Sequence, residues 1–260
     1  MATNITPIPR EPDEEPQRGS RVAGEMTILE HLQELRTRVF WMAIAVTAGM
    51  VVFFVPAIGF RVIEFLKDPA VRQLGSFHAQ AITPMENIVV YFKVALMGGL
   101  AVGMPMVVFQ TFRFISPALT PGEKRWVYPI TFGASSMFVI GMAFAYYVVL
   151  PTAYGFLFKF GAEEIADPTP TISSYMDLTI RLILICGLVF ETPILIMGLA
   201  KLGLVTARRL LHLWRFAIVI VFIIAAILTP TPDPVTQTLV AGPMVLLYFL
   251  GIGLAWLVRR

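Results

Sequence analysis

Apolar residues in this chain fall into six long runs that short polar segments separate from one another. A membrane-spanning helix needs about 20 apolar residues, whereas a strand of a membrane barrel needs about 9–11 alternating ones. These runs are continuous rather than alternating, so the pattern predicts an all-α membrane protein with six transmembrane helices. The predicted spans cover residues 39–58, 86–116, 126–157, 175–201, 213–228 and 235–258.

A short amphipathic helix is predicted directly before the first span. Thr27 followed by Glu30 forms the capping-box pattern that begins a helix. Four apolar residues at helical spacing then give the segment one apolar face. They are Ile28, Leu29, Leu32 and Leu35.

This helix holds a carboxylate, Glu34, beside Arg36 and Arg38 where the chain enters the membrane. One interpretation is a receptor site for a cationic ligand. The other is an i,i+4 ion pair with Arg38, which contributes only about 0.2–0.5 kcal/mol.

Composition supports the membrane class, because 57% of the residues are hydrophobic and 14% are charged, against about 25% charged in soluble domains. We expect residues 1–25 to be a disordered polar tail, since they are rich in acids and prolines and lack the apolar run of a signal peptide. Residues 26–260 then form one six-helix domain. The single cysteine, Cys186, lies inside a span and is expected to act as a small hydrophobe. No basic surface with interleaved aromatic residues indicates nucleic-acid binding.

The distribution of lysine and arginine predicts the orientation. Basic residues concentrate in the N-terminal tail, in the loops after the second and fourth spans, and at the C-terminus. The loops on the other side hold fewer, so both termini are expected in the cytoplasm. The first external loop, residues 59–85, is long enough to carry a short helix near 60–66, and the external loops together could form an ordered cap.

Glycines and prolines inside the spans predict close packing and bending. Gly99 and Gly103 form a small-xxx-small pair that lets two helices approach closely. Pro105 and Pro193 predict kinks and hence a curved, concave bundle. The fifth apolar run is only about 24 Å long at about 1.5 Å per residue. It therefore predicts either a locally thinned bilayer or a tilted helix with snorkelling ends.

Glu191 lies near the middle of the fourth predicted span. A carboxylate at that depth costs at least about 2.5 kcal/mol by insertion scales. It is therefore either part of a polar notch that receives a partner's polar group, or a neutral carboxyl bonded to a neighbouring helix.

A second acid, Glu123, follows a turn marked by Pro117, Pro121 and Gly122 between the second and third spans. Its simplest role is to stabilise the start of the third span through the helix dipole. That role does not explain why both Glu34 and Glu123 are predicted on the cytoplasmic rim.

Two other classes of function were weighed. An intramembrane protease needs a serine–histidine pair, two aspartates or an HExxH motif in the spans. No such pattern is present, and no cofactor, metal site or catalytic residue is predicted. A proton-coupled secondary transporter would favour an inverted repeat, and none is evident.

Four segments of the chain together resemble the TatC family, the core subunit of the twin-arginine protein translocase. The resemblance covers about residues 26–260 and excludes the N-terminal tail. The matching segments are His31-Leu-Gln-Glu-Leu-Arg-Thr-Arg38, Phe112-Arg-Phe-Ile-Ser-Pro-Ala-Leu119 with Glu123-Lys124, Phe190-Glu-Thr-Pro193, and Thr229-Pro-Thr-Pro-Asp-Pro-Val-Thr-Gln237.

The resemblance implies a non-catalytic receptor for signal peptides that carry an Arg-Arg pair. It assigns the pair to Glu34 and Glu123, and it places Arg36 and Phe114 at the same site.

The resemblance also gives roles to the spans and external loops. Glu191 corresponds to the family's mid-span glutamate, Asp233 to its external aspartate, and Gln237 to a polar residue linked to docking of the single-span subunits TatA and TatB. The implied location is the cytoplasmic membrane of a prokaryote. Self-association and contact with lipid are expected, and folded cargo crosses on the proton-motive force.

Overall fold

The structure is a computed structural model that describes residues 28–74, 79–115, 127–159, 170–201, 203–228 and 234–258. Within these ranges the chain is helical almost throughout. The elements in chain order are α1 Ile28–Phe53, α2 Pro56–Leu74, α3 Met85–Ile115, α4 Val127–Phe144, a π-helical turn Ala145–Val149, α5 Leu150–Lys159, α6 Ile172–Phe190, α7 Thr192–Lys201, α8 Ala207–His212, α9 Trp214–Leu228 and α10 Pro234–Leu257.

Five stretches of the described chain are long and apolar enough to cross a membrane. They are Leu29–Phe53, Met85–Phe114, Val127–Lys159, Ile172–Lys201 and Pro234–Leu257. The fifth predicted span forms α9, whose 15 residues extend over about 22 Å. The all-helical membrane class is therefore confirmed, together with the positions of the apolar helices.

Two helices differ in length from the sequence prediction. The amphipathic segment before the first span is continuous with that span in α1, and its leucines are exposed, Leu29 at 71%. The short helix expected near 60–66 runs from Pro56 to Leu74. Its alternation of charged and apolar residues hid its full length from a search for apolar runs.

Glycines hold α1 against α3, as the small-xxx-small pair predicts. A Cβ built on Gly99 would lie 2.6 Å from Met50 N and from Val46 O, and one on Gly103 would lie 3.1 Å from Val46 Cα. Gly49 faces Gly99 across the same contact. Backbone therefore packs on backbone here, which only residues without a side chain allow.

Tyrosines fasten α2 to the bundle at the point where Pro69 interrupts its hydrogen bonds. Pro69 has no N–H to donate to the Phe65 carbonyl, and Tyr146 donates its hydroxyl to that carbonyl at 2.9 Å. Tyr175 donates to the next carbonyl, that of Leu66, at 2.7 Å. The bundle end that carries α2 is called the α2 end, and the opposite end is the Glu34 end.

The loops at the α2 end are tied together by backbone pairing. Ile172 N donates to Gln80 O at 3.0 Å, and Gln80 N donates to Pro170 O at 3.3 Å. The Thr171 side chain accepts a hydrogen bond from Ser174 N and so caps α6. Parts of the two predicted external loops are thus ordered against each other.

The helix is interrupted beside the second of the two prolines that predict kinks. Helix α6 ends at Phe190 and α7 begins at Thr192, one residue before Pro193. Pro105, by contrast, lies inside the uninterrupted helix α3. Cys186 is buried and free, as predicted.

Candidate functional site

Arg38 forms an ion pair within α1 and a hydrogen bond to α3 at the Glu34 end of the bundle. Arg38 donates to Glu34 Oε1 at 2.8 Å, and its other terminal nitrogen donates to Gln110 Oε1 on α3 at 3.2 Å. The side chains of Glu34 and Arg38 are each only 18% exposed. The i,i+4 pair that the sequence allows is therefore present, and Gln110 holds it against the bundle.

Two buried polar atoms of this pair have no hydrogen-bond partner in the part of the chain that the structure describes. They are Glu34 Oε2 and Arg38 Nε. An ionised carboxylate offers about four lone-pair sites, and a guanidinium carries five N–H donors. The site can therefore accept a further hydrogen bond at Glu34 and donate a further one at Arg38.

Phe114 lies beside the start of α1. Its ring stacks on His31 with centroids 4.3 Å apart and an angle of 19° between the planes. This contact and the Arg38–Gln110 bond join the N-terminal turns of α1 to the C-terminal turns of α3. Glu34 and Phe114 are thus brought to one end of one helix pair, while the Arg36 side chain is exposed.

The remaining acid of the predicted pair lies outside the described residues. Glu123 falls in the range 116–126 and Asp233 in the range 229–233, so their predicted positions stay predictions.

Glu191 occupies the break between α6 and α7. Its residue is 5% exposed, and Oε1 is buried without a hydrogen-bond partner among the described residues. Its backbone still continues the helical path, since Glu191 N donates to Leu188 O at 3.2 Å and Leu195 N donates to Glu191 O at 2.9 Å. A buried carboxyl with an unpaired oxygen inside an apolar helix is a polar point that another group can bind.

Gln237 lies near the start of α10 and connects this helix to α9. Its Nε2 donates to the Phe222 carbonyl at 3.1 Å. The same end of α10 borders an open apolar groove of about 600 Å³, lined by Pro234, Val235, Thr238, Leu239 and Pro243.

Sequence reasoning missed Gln110. It is 4% exposed and lies one helical turn before Phe114. A glutamine inside an apolar span was a visible signal, but its partner is 72 positions away in sequence. For metals, no group of three or more histidine, cysteine, aspartate or glutamate side chains that could hold an ion occurs within the described ranges.

Comparison with known proteins identifies the family. The family model described as TatC, Sec-independent protein translocase protein, matches residues 30–243. The TatC protein of Koribacter versatilis is 38% identical over 238 residues, which are 90% of this chain and 86% of that protein. The TatC protein of Synechocystis is 37% identical over 229 residues, which are 88% of this chain and 87% of that protein.

The fold agrees with solved structures of the same family. A crystal structure of the twin-arginine translocase receptor TatC superposes with a TM-score of 0.77 at 34% identity, covering 89% of this chain and 100% of that one. A second crystal structure of the receptor, in DDM, gives a TM-score of 0.78 at 35% identity. These matches lend no support to a solute transporter. The chain belongs to the TatC family of Sec-independent protein translocase proteins.

Proposed function

We propose that this chain is the signal-peptide receptor of its translocase, and that it binds an Arg-Arg pair and passes folded proteins across the membrane on the proton-motive force. The observation that carries the proposal is the state of Glu34. One oxygen is held by Arg38, and the other, Oε2, is buried and has no partner among the described residues.

The fixed geometry of Glu34 favours a guanidinium ligand. Arginine presents its donors as a planar fork that matches a carboxylate, whereas lysine offers a compact point charge. Because Arg38 holds the carboxylate in place and Gln110 in turn holds Arg38, little freedom is lost when a ligand binds it. The buried Arg38 Nε has no partner among the described residues and is a second donor of the same ion pair, suited to a carbonyl oxygen of an extended peptide.

The second arginine of the signal is assigned to Glu123. This acid follows α3 in sequence just beyond Phe114, and Phe114 packs on the first turns of α1. Phe114 would contact the peptide between the two acids, and the exposed Arg36 would lie at the edge of the site.

A site that receives signal peptides from the cytoplasm requires the Glu34 end to face the cytoplasm. This corresponds to a chain of six spans with both termini in the cytoplasm. The basic residues near the Glu34 end, among them Arg113, Lys201 and Arg208, support this orientation by the positive-inside rule. Helix α9 is then the short fifth span, and its length of about 22 Å against a hydrocarbon core of roughly 30 Å supports local thinning of the bilayer.

Glu191 is proposed to act after the signal has bound. The apolar segment of the signal would lie along the concave face of the bundle, where the buried Glu191 carboxyl is a polar point at membrane depth. Gln237 is proposed to contact TatA and TatB along α9 and α10, since it already joins these two helices, and Asp233 is proposed as the external aspartate that precedes α10. Further copies of the chain are expected in the assembled complex.

Crosslinking of a labelled Arg-Arg signal peptide to the intact protein in membranes tests the proposal. Photo-crosslinkers at residues adjoining Glu34, Glu123 and Glu191 should all capture the peptide. Replacing Glu34 with glutamine should reduce capture about tenfold or more, since hydrogen bonds to charged groups contribute about 1.5–3 kcal/mol.

Glu64→Gln is the matched control, because it removes the same charge from an exposed position on α2 and should leave capture unchanged. Equal capture by the wild-type and Glu34→Gln chains would remove the role assigned to Glu34. Solute uptake by this chain alone in vesicles would instead favour a transporter.

A further inference from the structure

Three charged residues on α3 and α6, called the cluster below, lie near the α2 end, away from the proposed peptide site. Lys93 on α3 donates to Asp177 on α6 at 2.6 Å, and the two side chains are 38% and 42% exposed. Arg181 lies one helical turn further along α6 and is exposed. The cluster carries two positive charges and one negative charge inside segments that are otherwise apolar.

Helix contacts show at what depth this cluster lies. Helices α3 and α6–α7 run side by side, since Lys93 meets Asp177 near one end and a Cβ on Gly198 would lie 2.8 Å from Phe112 Cε1 near the other. Along α3, Lys93 and Arg113 bracket an uncharged stretch of about 20 residues. At about 1.5 Å per residue this stretch is about 30 Å long, which is the thickness of the hydrocarbon core.

The neighbouring spans place the edge of the hydrocarbon core at the same level as Lys93. Arg181 and Lys201 are also about 20 residues apart, or about 30 Å along α6 and α7. Helices α4 and α6 touch at Gly141 and Gly187, since a Cβ built on Gly141 would lie 2.9 Å from Gly187 Cα. Tyr147 follows Gly141 by the same number of residues as Arg181 precedes Gly187. The exposed Tyr147 therefore lies at about the same level as Arg181. Exposed tyrosine at this level is typical of a membrane interface.

The tilt of side chains on a helix directs Lys93 and Arg181 towards the lipid headgroups. Side chains on a helix tilt towards its N-terminus, and both α3 and α6 begin at the α2 end. The Arg181 backbone lies about 6 Å deeper than that of Asp177, a distance that a snorkelling arginine spans. Its guanidinium can therefore reach the level of the Lys93–Asp177 pair, because Asp177 and Arg181 are four residues apart and share a face of α6.

We propose that Lys93, Asp177 and Arg181 form a site for the phosphate of a membrane phospholipid in the leaflet at the α2 end. Arg181 supplies the phosphate-binding fork and Lys93 the second positive charge, and the phosphate competes with Asp177 for the Lys93 ammonium. A phosphate is favoured over the carboxylate of a partner helix because the cluster lies at the edge of the hydrocarbon core, where headgroup phosphates are concentrated. The site is separate from Glu34 and does not depend on which side of the membrane the α2 end faces.

Lipid retention by the purified full-length protein, measured by native mass spectrometry, tests this site. The probes are phosphatidylglycerol and a glucosyl diacylglycerol with the same acyl chains and no phosphate. The wild-type chain should retain phosphatidylglycerol preferentially, and millimolar inorganic phosphate should not displace it, because the acyl chains also bind. Arg181→Ala should lower its retention about fivefold, which corresponds to ~1 kcal/mol per basic residue near the membrane surface.

Two further variants separate phosphate binding from general damage to the fold. Arg72→Ala removes the same charge from an exposed ion pair on α2 and should retain phosphatidylglycerol as the wild type does. Asp177→Asn removes the competing anion and should raise retention, whereas a purely structural role for Asp177 predicts a loss.

Several outcomes would overturn the proposal. They are equal phosphatidylglycerol retention by Arg181→Ala and the wild type, equal wild-type retention of both lipids, displacement of the lipid by inorganic phosphate, and reduced retention by Asp177→Asn. Loss of a co-purifying single-span helix from Arg181→Ala, with lipid retention unchanged, would assign Arg181 to a protein partner instead.

Discussion

A single methyl group added at Gly99 should loosen the helix pair that carries the peptide site. The new Cβ would lie 2.6 Å from Met50 N and Val46 O, both backbone atoms that cannot rotate away. To restore an ordinary contact distance the two helices must separate by about 0.8 Å, and overpacking of this kind typically costs about 1–3 kcal/mol. A rigid shift of that size would lengthen the 3.2 Å Arg38–Gln110 bond to about 4 Å, beyond hydrogen-bonding distance.

Gly99→Ala should therefore lower the melting temperature of the purified protein by roughly 2–10 °C. It should also weaken binding of an Arg-Arg peptide by about two- to tenfold, the effect of losing one hydrogen bond. Size-exclusion chromatography after heating measures the first effect, and fluorescence anisotropy of a labelled peptide measures the second.

Gly253→Ala is the control for this variant, because a Cβ on Gly253 would meet no atom within 4 Å. If the Gly99→Ala and Gly253→Ala proteins had the same melting temperature and the same affinity for the peptide, the close approach of α1 and α3 would not be what holds Glu34 in place.

Two further substitutions test the interior of the bundle. Glu191→Gln keeps the size of the buried side chain but removes its ionisable carboxyl. Transport of folded cargo into inverted vesicles should therefore fall, while the dissociation constant for the signal peptide should stay unchanged. Full transport by the variant would make Glu191 a structural acid. Tyr175→Phe leaves the Leu66 carbonyl without its donor and should destabilise the protein by about 1–3 kcal/mol in thermal unfolding. Tyr147→Phe, at an exposed position, should not, and equal melting of the two variants would show that the bond to α2 contributes nothing.

Local sequence patterns predicted those parts of the site that depend on neighbours along one helix. The four-residue spacing of Glu34 and Arg38 predicted their ion pair, and the spacing of Gly99 and Gly103 predicted a close helix contact without naming its partner. These predictions succeed because the geometry of a helix fixes which residues share a face.

Contacts between distant segments could not be predicted in this way. Gln110 and Lys93 meet partners 72 and 84 positions away, and nothing local identifies such a partner. Helix α2 was predicted too short because its charged residues interrupt the apolar signal, although they lie on one side of a helix that tyrosine hydroxyls hold against the bundle.

The most direct test of the central claim is a double-mutant cycle between the receptor acids and the arginines of the signal peptide. Dissociation constants are measured for the wild-type chain, Glu34→Gln and Glu123→Gln, each with an Arg-Arg peptide and with peptides in which one arginine at a time is replaced by lysine. The account predicts that each acid couples to one particular arginine by about 1.5–3 kcal/mol and that the two acids couple to different arginines. Additive effects, with no coupling between either acid and either arginine, would contradict it.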